Sequence, residues 1–303
     1  MEALRKTKRR GAALMLSLWA LFLLSAMVIS WALDIDSRLT LSGNANRNLE
    51  AEALACSGAE VALHPAITPG STALIGGFGR DQRYQVRITG EGGRLNINWV
   101  AAHELATPGS PQLEVLRKFL EIKGVDLNER DLMIDTLLDW VGPNTGLHRL
   151  NAPPDSENYH PSHALLKQID ELKKIKGWEE FTSAKNWDSD LTLDSTVNPG
   201  GIDLKWASRD VLLSLPGASE DRVDQFLALR SGADGIDGTA DDPPIPIAQA
   251  LVALGLPPQQ VLGLIGTDPV LRVVSVGKSG DVTRTVRVVF VKGNTQLKSW
   301  KEF

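Results

Sequence analysis

The 22 residues from Ala12 to Leu33 contain no charged side chain, and the ten residues before Gly11 hold Arg5, Lys6, Lys8, Arg9 and Arg10 against a single Glu2. As a helix rising about 1.5 Å per residue, such a run crosses a hydrocarbon core of roughly 30 Å once. The basic flank is expected to stay cytoplasmic, which places everything after Asp34 on the other side. A cleaved secretory signal has a shorter apolar core, about 7 to 15 residues, and ends it with small residues in an Ala-x-Ala pattern. Here the small residue, Gly11, comes before the apolar run.

Beyond the anchor the composition is that of a globular protein, with 37 acidic against 32 basic residues in a chain of 303. A net charge of −5 argues against a general phosphate-backbone binder, which draws its affinity from clustered Lys and Arg. Cys56 is the only cysteine, so no intrachain disulfide can form, and with no basic neighbour in sequence it reads as a small core side chain.

Leu49, Ala53, Cys56, Ala59 and Leu63 recur at intervals of three and four with no proline before Pro65, so the anchor helix is expected to continue outward, to about 78 Å if unbroken from Ala12 to Leu63. Gly43 with Asn44, Asn46 and Asn48 predicts a break or bend near its middle. Pro65 to Gly79 reads as a loop. Alternation in Tyr84, Val86 and Ile88, then in Leu95 and Ile97 across Gly90 to Gly93, predicts a hairpin. Helical patterns follow at Gln112 to Trp140, around a Gly124 to Asn128 turn, and at His163 to Gly177; Glu179 to Thr196 fits neither period. Ile202 to Ala207 reads as a short strand, Ser208 as a helix cap, and Ser219 to Arg230 as a helix. Leu271 to Val276 and Val282 to Val291 form a second hairpin across Gly277 to Gly280. Helices between two hairpins imply an insertion into one sheet.

The order of basic block, Gly11 and apolar run resembles the type III signal of type IV pilins and pseudopilins, in which a prepilin peptidase would cut between Gly11 and Ala12. A plain uncleaved signal anchor with an incidental glycine is the alternative. Most such pilins carry glutamate at the fifth mature position; here it is Leu16, and a buried carboxylate with no neighbour to neutralise would be costly. Gly93-Arg94-Leu95-Asn96-Ile97-Asn98 and Leu137-Leu138-Asp139-Trp140 are similar to motifs of the K family of type II secretion minor pseudopilins, whereas Ile202 to Ala207 lacks that family's asparagines.

The resemblance implies an α+β chain: a pilin-like long amino-terminal helix on an antiparallel sheet, with a large inserted helical domain. Its expected parts are a leader (1–11), a transmembrane helix (12–33), the spine helix and first hairpin (34–98), the helical insertion (99–200) and the rest of the pilin-like domain (201–303). It implies a non-enzymatic subunit of the bacterial inner membrane, single-pass and facing the periplasm. That subunit would start and cap the pseudopilus with I-like and J-like partners, a prepilin peptidase and the inner-membrane secretion platform.

Asp234, Asp237, Asp241 and Asp242, with Thr239 among them, put four carboxylates in nine residues, a set of hard oxygens suited to calcium though not spaced as an EF-hand. Four like charges so close would repel without a cation, which favours a metal over an exposed solvated turn, and the resemblance to the K family, whose relatives bind calcium, supports this loop as the candidate. Asp188, Asp190 and Asp194 read as a solvated loop. Leu215-Pro216-Gly217 with the helix to Arg230 resembles a helix-hairpin-helix, so a membrane-tethered DNA-uptake protein using Arg222 and Arg230 is the rival function. A hydrolase would have to use Asp234 or Asp237. His103-Glu104 lacks the second histidine of a zinc protease, since Thr107 stands there, and His148, His160 and His163 read as surface residues. No motif builds an active site, and no enzyme is expected.

Overall fold

The computed structural model describes residues 2–197, 200–293 and 296–303, with side chains in the first helix from Ala13 onward. Helix α1 (Glu2–Leu63) is continuous, so the break expected near Gly43 does not occur. Nothing lies within 4 Å of where a Gly43 side chain would start. A single interior glycine costs only about 1 kcal/mol relative to alanine, too little to interrupt a helix of this length.

The buried face of α1 is made mostly of small residues, Ala51, Ala55, Gly58, Ala59 and Ala62, with Leu54 the one large side chain among them. It is rotated from the expected stripe, leaving Leu49 exposed. Small side chains allow the helix to sit almost on the strand beneath it. A Cβ on Gly277 would stand 2.0 Å from the carbonyl oxygen of Ala51, and one on Gly58 would stand 2.5 Å from Ser275 Oγ.

The sheet under α1 is antiparallel, in the order β1 (Ile75–Phe78), β2 (Gln82–Gly90), β5 (Val270–Ser279), β6 (Val282–Val291), β7 (Gln296–Glu302). Val86, Ile88, Val273, Val286 and Val288 meet the helix alanines in one buried cluster. The terminal hairpin is found where expected, as β5 and β6. The first is not. Leu95–Asn96 (β3) pairs in parallel with Leu191–Thr192 (β4), and Ile97 already opens a helix. Gly90 to Gly93 fails as a hairpin turn because Glu91–Gly93 forms a 3-10 turn, and Gly93 lies so close to the Trp206 backbone that a Cβ there would be 2.3 Å from it. β2 instead pairs with β1, inside the stretch expected to be a loop, and with β5.

The insertion lies between β2 and β5 and carries α2 (Ile97–Ala106), α3 (Pro111–Ile122), α4 (Leu127–Val141), α5 (Glu179–Ser183), α6 (Arg209–Leu213), α7 (Glu220–Arg230) and α8 (Ile247–Leu254). Its buried cluster runs unbroken from Leu95 to Leu264. The boundary expected near residue 200 is therefore misplaced: Ile202, Val211, Val223, Phe226 and Leu254 bury themselves with α2 to α4 rather than with the sheet.

The asparagines of the Gly93–Asn98 word act in this core. Asn96 caps α2 by accepting from the Trp99 N–H and donates to Ser195. Asn98 takes both the N–H and the carbonyl of Leu166. With that backbone committed to a side chain, the helix expected over His163 to Gly177 shrinks to a 3-10 stretch, Ile169–Lys174.

The junction is closed by charge. Glu91, fully buried at the exit of β2, makes two 2.6 Å hydrogen bonds with the Arg272 guanidinium of β5, accepts a third from Thr192 of β4, and faces Arg94. Burial pushes the Glu91 carboxyl up, but the Arg272 and Arg94 charges and the hydrogen bonds hold it below the usual range.

Glu91→Gln, which leaves Arg272 buried without a counter-charge, is expected to destabilise by about 3–5 kcal/mol in chemical denaturation of the detergent-solubilised chain. Because the folded carboxyl sits below its unfolded value, its contribution is complete above about pH 4.5. It is lost as pH falls through the folded value, so the wild type should lose stability on acidification more steeply than the variant.

Candidate functional site

The unpacked part of α1 is the first candidate. From Leu14 to Leu33 its large apolar side chains are 58–73% exposed, and the helix is long and apolar enough to cross a membrane. Gly11 and Ala12 lie in the helical backbone, and the Ala12 side chain is outside the described residues. Leu16 is 71% exposed within the run. Past the run, Arg38 and Asp34 pair one turn apart at 2.9 Å, where the helix surface becomes polar.

The acidic loop follows α7. Asp241 accepts from the N–H groups of Ala233 (2.7 Å) and Asp234 (3.1 Å), Asp242 from Gly238 (2.6 Å), and Asp234 from Ile236 (2.8 Å). The Thr239 hydroxyl and the Asp234 and Ala233 amides hold the Asp241 carboxyl down at about 2. Thr239 Oγ1 lies 2.7 Å from Asp241, 3.3 Å from Asp242 and 3.1 Å from the Ile236 carbonyl. One hydroxyl proton thus faces three acceptors, an excess of oxygen that suits a hard cation.

The expected ligand set fits only in part. Asp237 is turned to Arg230, at 3.0 and 2.7 Å, and Asp234 serves the turn. Among the described residues no group of three His, Cys, Asp or Glu side chains converges as a metal centre.

The same Arg230 decides the helix-hairpin-helix reading. It is 4% exposed and donates to the carbonyls of Leu204 and Ala207 besides Asp237, so it cannot reach a phosphate. Arg209 is held by Glu220 and Asp224. Glu220 and Asp221 occupy the first turn of α7, where a DNA phosphate would have to lie. The unit packs through Val211, Leu212, Val223 and Phe226 and leaves a mostly acidic outer face, on which Arg222 is exposed beside Glu220, Asp221 and Asp224.

The other chemistry-bearing residues are not brought together. Glu104 is buried and accepts from the N–H groups of Gly109 and Ser110, closing the turn before α3. His148 meets Asp139 at 3.1 Å, and His163 Nδ1 meets the Gly142 carbonyl at 3.0 Å. Asp190 is bound by Lys123, Asp188 by Arg287, and Asp194 is half-buried by Ser299, so these three are not the solvated loop expected. The Glu91–Arg272 pair was invisible in the sequence because its partners stand 181 residues apart. An acidic residue at the end of a strand that runs into two glycines was the only local sign.

No family model matches the chain, and no curated protein does. Among solved structures, a chain of the GspK-GspI-GspJ complex from the enterotoxigenic Escherichia coli type 2 secretion system is similar, with a TM-score of 0.50 at 13% identity, over 89% of this chain and 97% of that one. The fold is that of a K-type minor pseudopilin.

Asp237→Ala, which strands a buried Arg230, is expected to cost about 3 kcal/mol in equilibrium unfolding, while Asp234→Ala, which removes one turn contact, should cost under about 1 kcal/mol.

Proposed function

We propose that the chain is a minor pseudopilin of a type II secretion system, an assembly subunit without catalytic activity that starts and caps the pseudopilus tip. The observation that carries this reading is α1 itself: its outer half is seated on the sheet by alanines, and its inner half is apolar and bare over the length a membrane or a helix bundle would cover. In this reading the basic flank faces the cytoplasm, the folded part lies in the periplasm, and a prepilin peptidase cuts between Gly11 and Ala12. The partners are I-like and J-like minor pseudopilins, in keeping with the complex in which the similar structure was solved, and the inner-membrane platform. Leu16 suits a subunit with nothing above it, because a carboxylate there would lack the neighbouring amino terminus that neutralises it. The large insertion would obstruct a further subunit in the same direction.

The mature amino terminus tests this. Mass spectrometry after co-expression with an active prepilin peptidase should give a chain starting at Ala12, and with an inactive one an uncleaved chain. An uncleaved chain in both cases would overturn the proposal.

Calcium belongs to the proposal in a reduced form, with Thr239, Asp241, Asp242 and the Ile236 carbonyl as the preformed oxygens. Millimolar calcium should raise the thermal midpoint of the wild type relative to chelator, and the rise should vanish in Asp241→Ala/Asp242→Ala. An equal midpoint with and without calcium would remove the metal from this reading.

A further inference from the structure

The strands fix which residues share the sheet face turned away from α1. By register, Arg83 lies opposite Lys278, Arg87 opposite Val274, Thr89 opposite Arg272, Val274 opposite Arg287, and Arg287 opposite Lys301. The face therefore carries Arg83, Arg87, Arg272, Lys278, Arg287 and Lys301 and no Asp or Glu, in a chain that is acidic overall.

The insertion covers one end of this face, and it does so with carboxylates: Glu91 on Arg272, Asp188 on Arg287 and Asp170 on Lys301. Arg87 is capped by the Asp237 carbonyl. At the open end Arg83 and Lys278 stand directly opposite each other, and among the described residues neither side chain has a hydrogen-bond or ion-pair partner. Like charges directly opposite on neighbouring strands destabilise a sheet. Gln85, Val276 and Ile75 lie beside them, so the open end is a flat surface of mixed polarity with a doubled positive charge.

We infer that the open end of this sheet face, centred on Arg83 and Lys278, docks an acidic protein surface. The covered end shows the chemistry that fits the face: carboxylates standing over a row of Arg and Lys. Anionic lipid is a poor alternative. The sheet end bearing Arg83 and Lys278 is tied to α1 at Glu50, through Gln82 at 3.0 Å and Ser279 at 2.6 Å. Glu50 is about 25 Å of helix beyond Leu33, several Debye lengths from a headgroup plane at physiological salt. The inference does not depend on the chain being a pseudopilin.

The test uses the full chain in nanodiscs of zwitterionic lipid and a fluorescent octa-glutamate peptide as the probe, read by anisotropy at low and at physiological salt. Binding should weaken at least tenfold in Arg83→Glu/Lys278→Glu and stay unchanged in Lys185→Glu, a cation elsewhere on the surface. The single variant Arg83→Glu, which turns a repelling pair into an attracting one, should raise the thermal midpoint by about 1–3 °C while weakening binding. A gain in stability with a loss of binding separates a docking residue from a structural one. The inference is overturned if the peptide does not bind, or if Lys185→Glu weakens it equally. It is overturned as well if vesicles rich in phosphatidylglycerol or a DNA oligomer bind more tightly than the peptide and with the same dependence on Arg83 and Lys278.

Discussion

Glu91 has no solvent contact, and its charge is tolerable only because Arg272 approaches it with two donors while Thr192 and Arg94 take up what remains. Those partners come from three places: the strand that resumes the sheet after the insertion, the short strand β4 deep inside the insertion, and the turn that starts it. A buried ion pair adds little net stability over apolar residues of the same volume, but it tolerates no misplacement, since a lone buried charge is far worse than either. Its effect here is to fix one arrangement of insertion on sheet. Loop-closure entropy grows only as the logarithm of length, so a segment spanning 181 residues between Glu91 and Arg272 costs little more to close than one half as long. The insertion can be large because its two ends are adjacent, Gly90 lying opposite Leu271.

The other constraint is the closeness of α1 to β5. With Gly277 beneath Ala51, and Gly58 above Ser275, helix and strand backbones approach to a distance no side chain could bridge, and Ala55, Ala59 and Ala62 complete a face without bulk. Such a contact holds the helix in one rotation and one height. The apolar residues that remain, from Leu14 to Leu33, therefore project in a direction fixed by the sheet, which matters if they are to enter a bundle of similar helices.

The anchor, the helices α3, α4 and α7 and the terminal hairpin were legible because each follows from short-range pattern: an uncharged run, a three-to-four spacing, a Ser before a helix, a β-branched alternation. What failed was long-range. Leu95 to Asn98 alternates like a strand, yet its asparagines are used by Ser195 and Leu166, so the segment turns into a helix after two residues. β7, with Lys298, Lys301 and Glu302 among its seven residues, had no apolar alternation to show, because an edge strand is held by its backbone pairing with β6. The acidic loop was visible as a run of carboxylates, but a nine-residue window holds no sign that Asp237 turns to Arg230.

That turn bears on what the acidic loop can do. Arg230 anchors α7 to the carbonyls of Leu204 and Ala207, Asp237 anchors the loop to Arg230, and the Asp237 carbonyl in turn receives Arg87 of the sheet. The loop thus connects insertion to sheet at a second point, remote in sequence from Glu91. Two charged fastenings at separate places restrain rotation as well as separation, which one alone would not. Thr239, Asp241 and Asp242 lie just beyond the second fastening, where the Thr239 hydroxyl and the loop amides close the turn around a structure that Arg230 has already fixed.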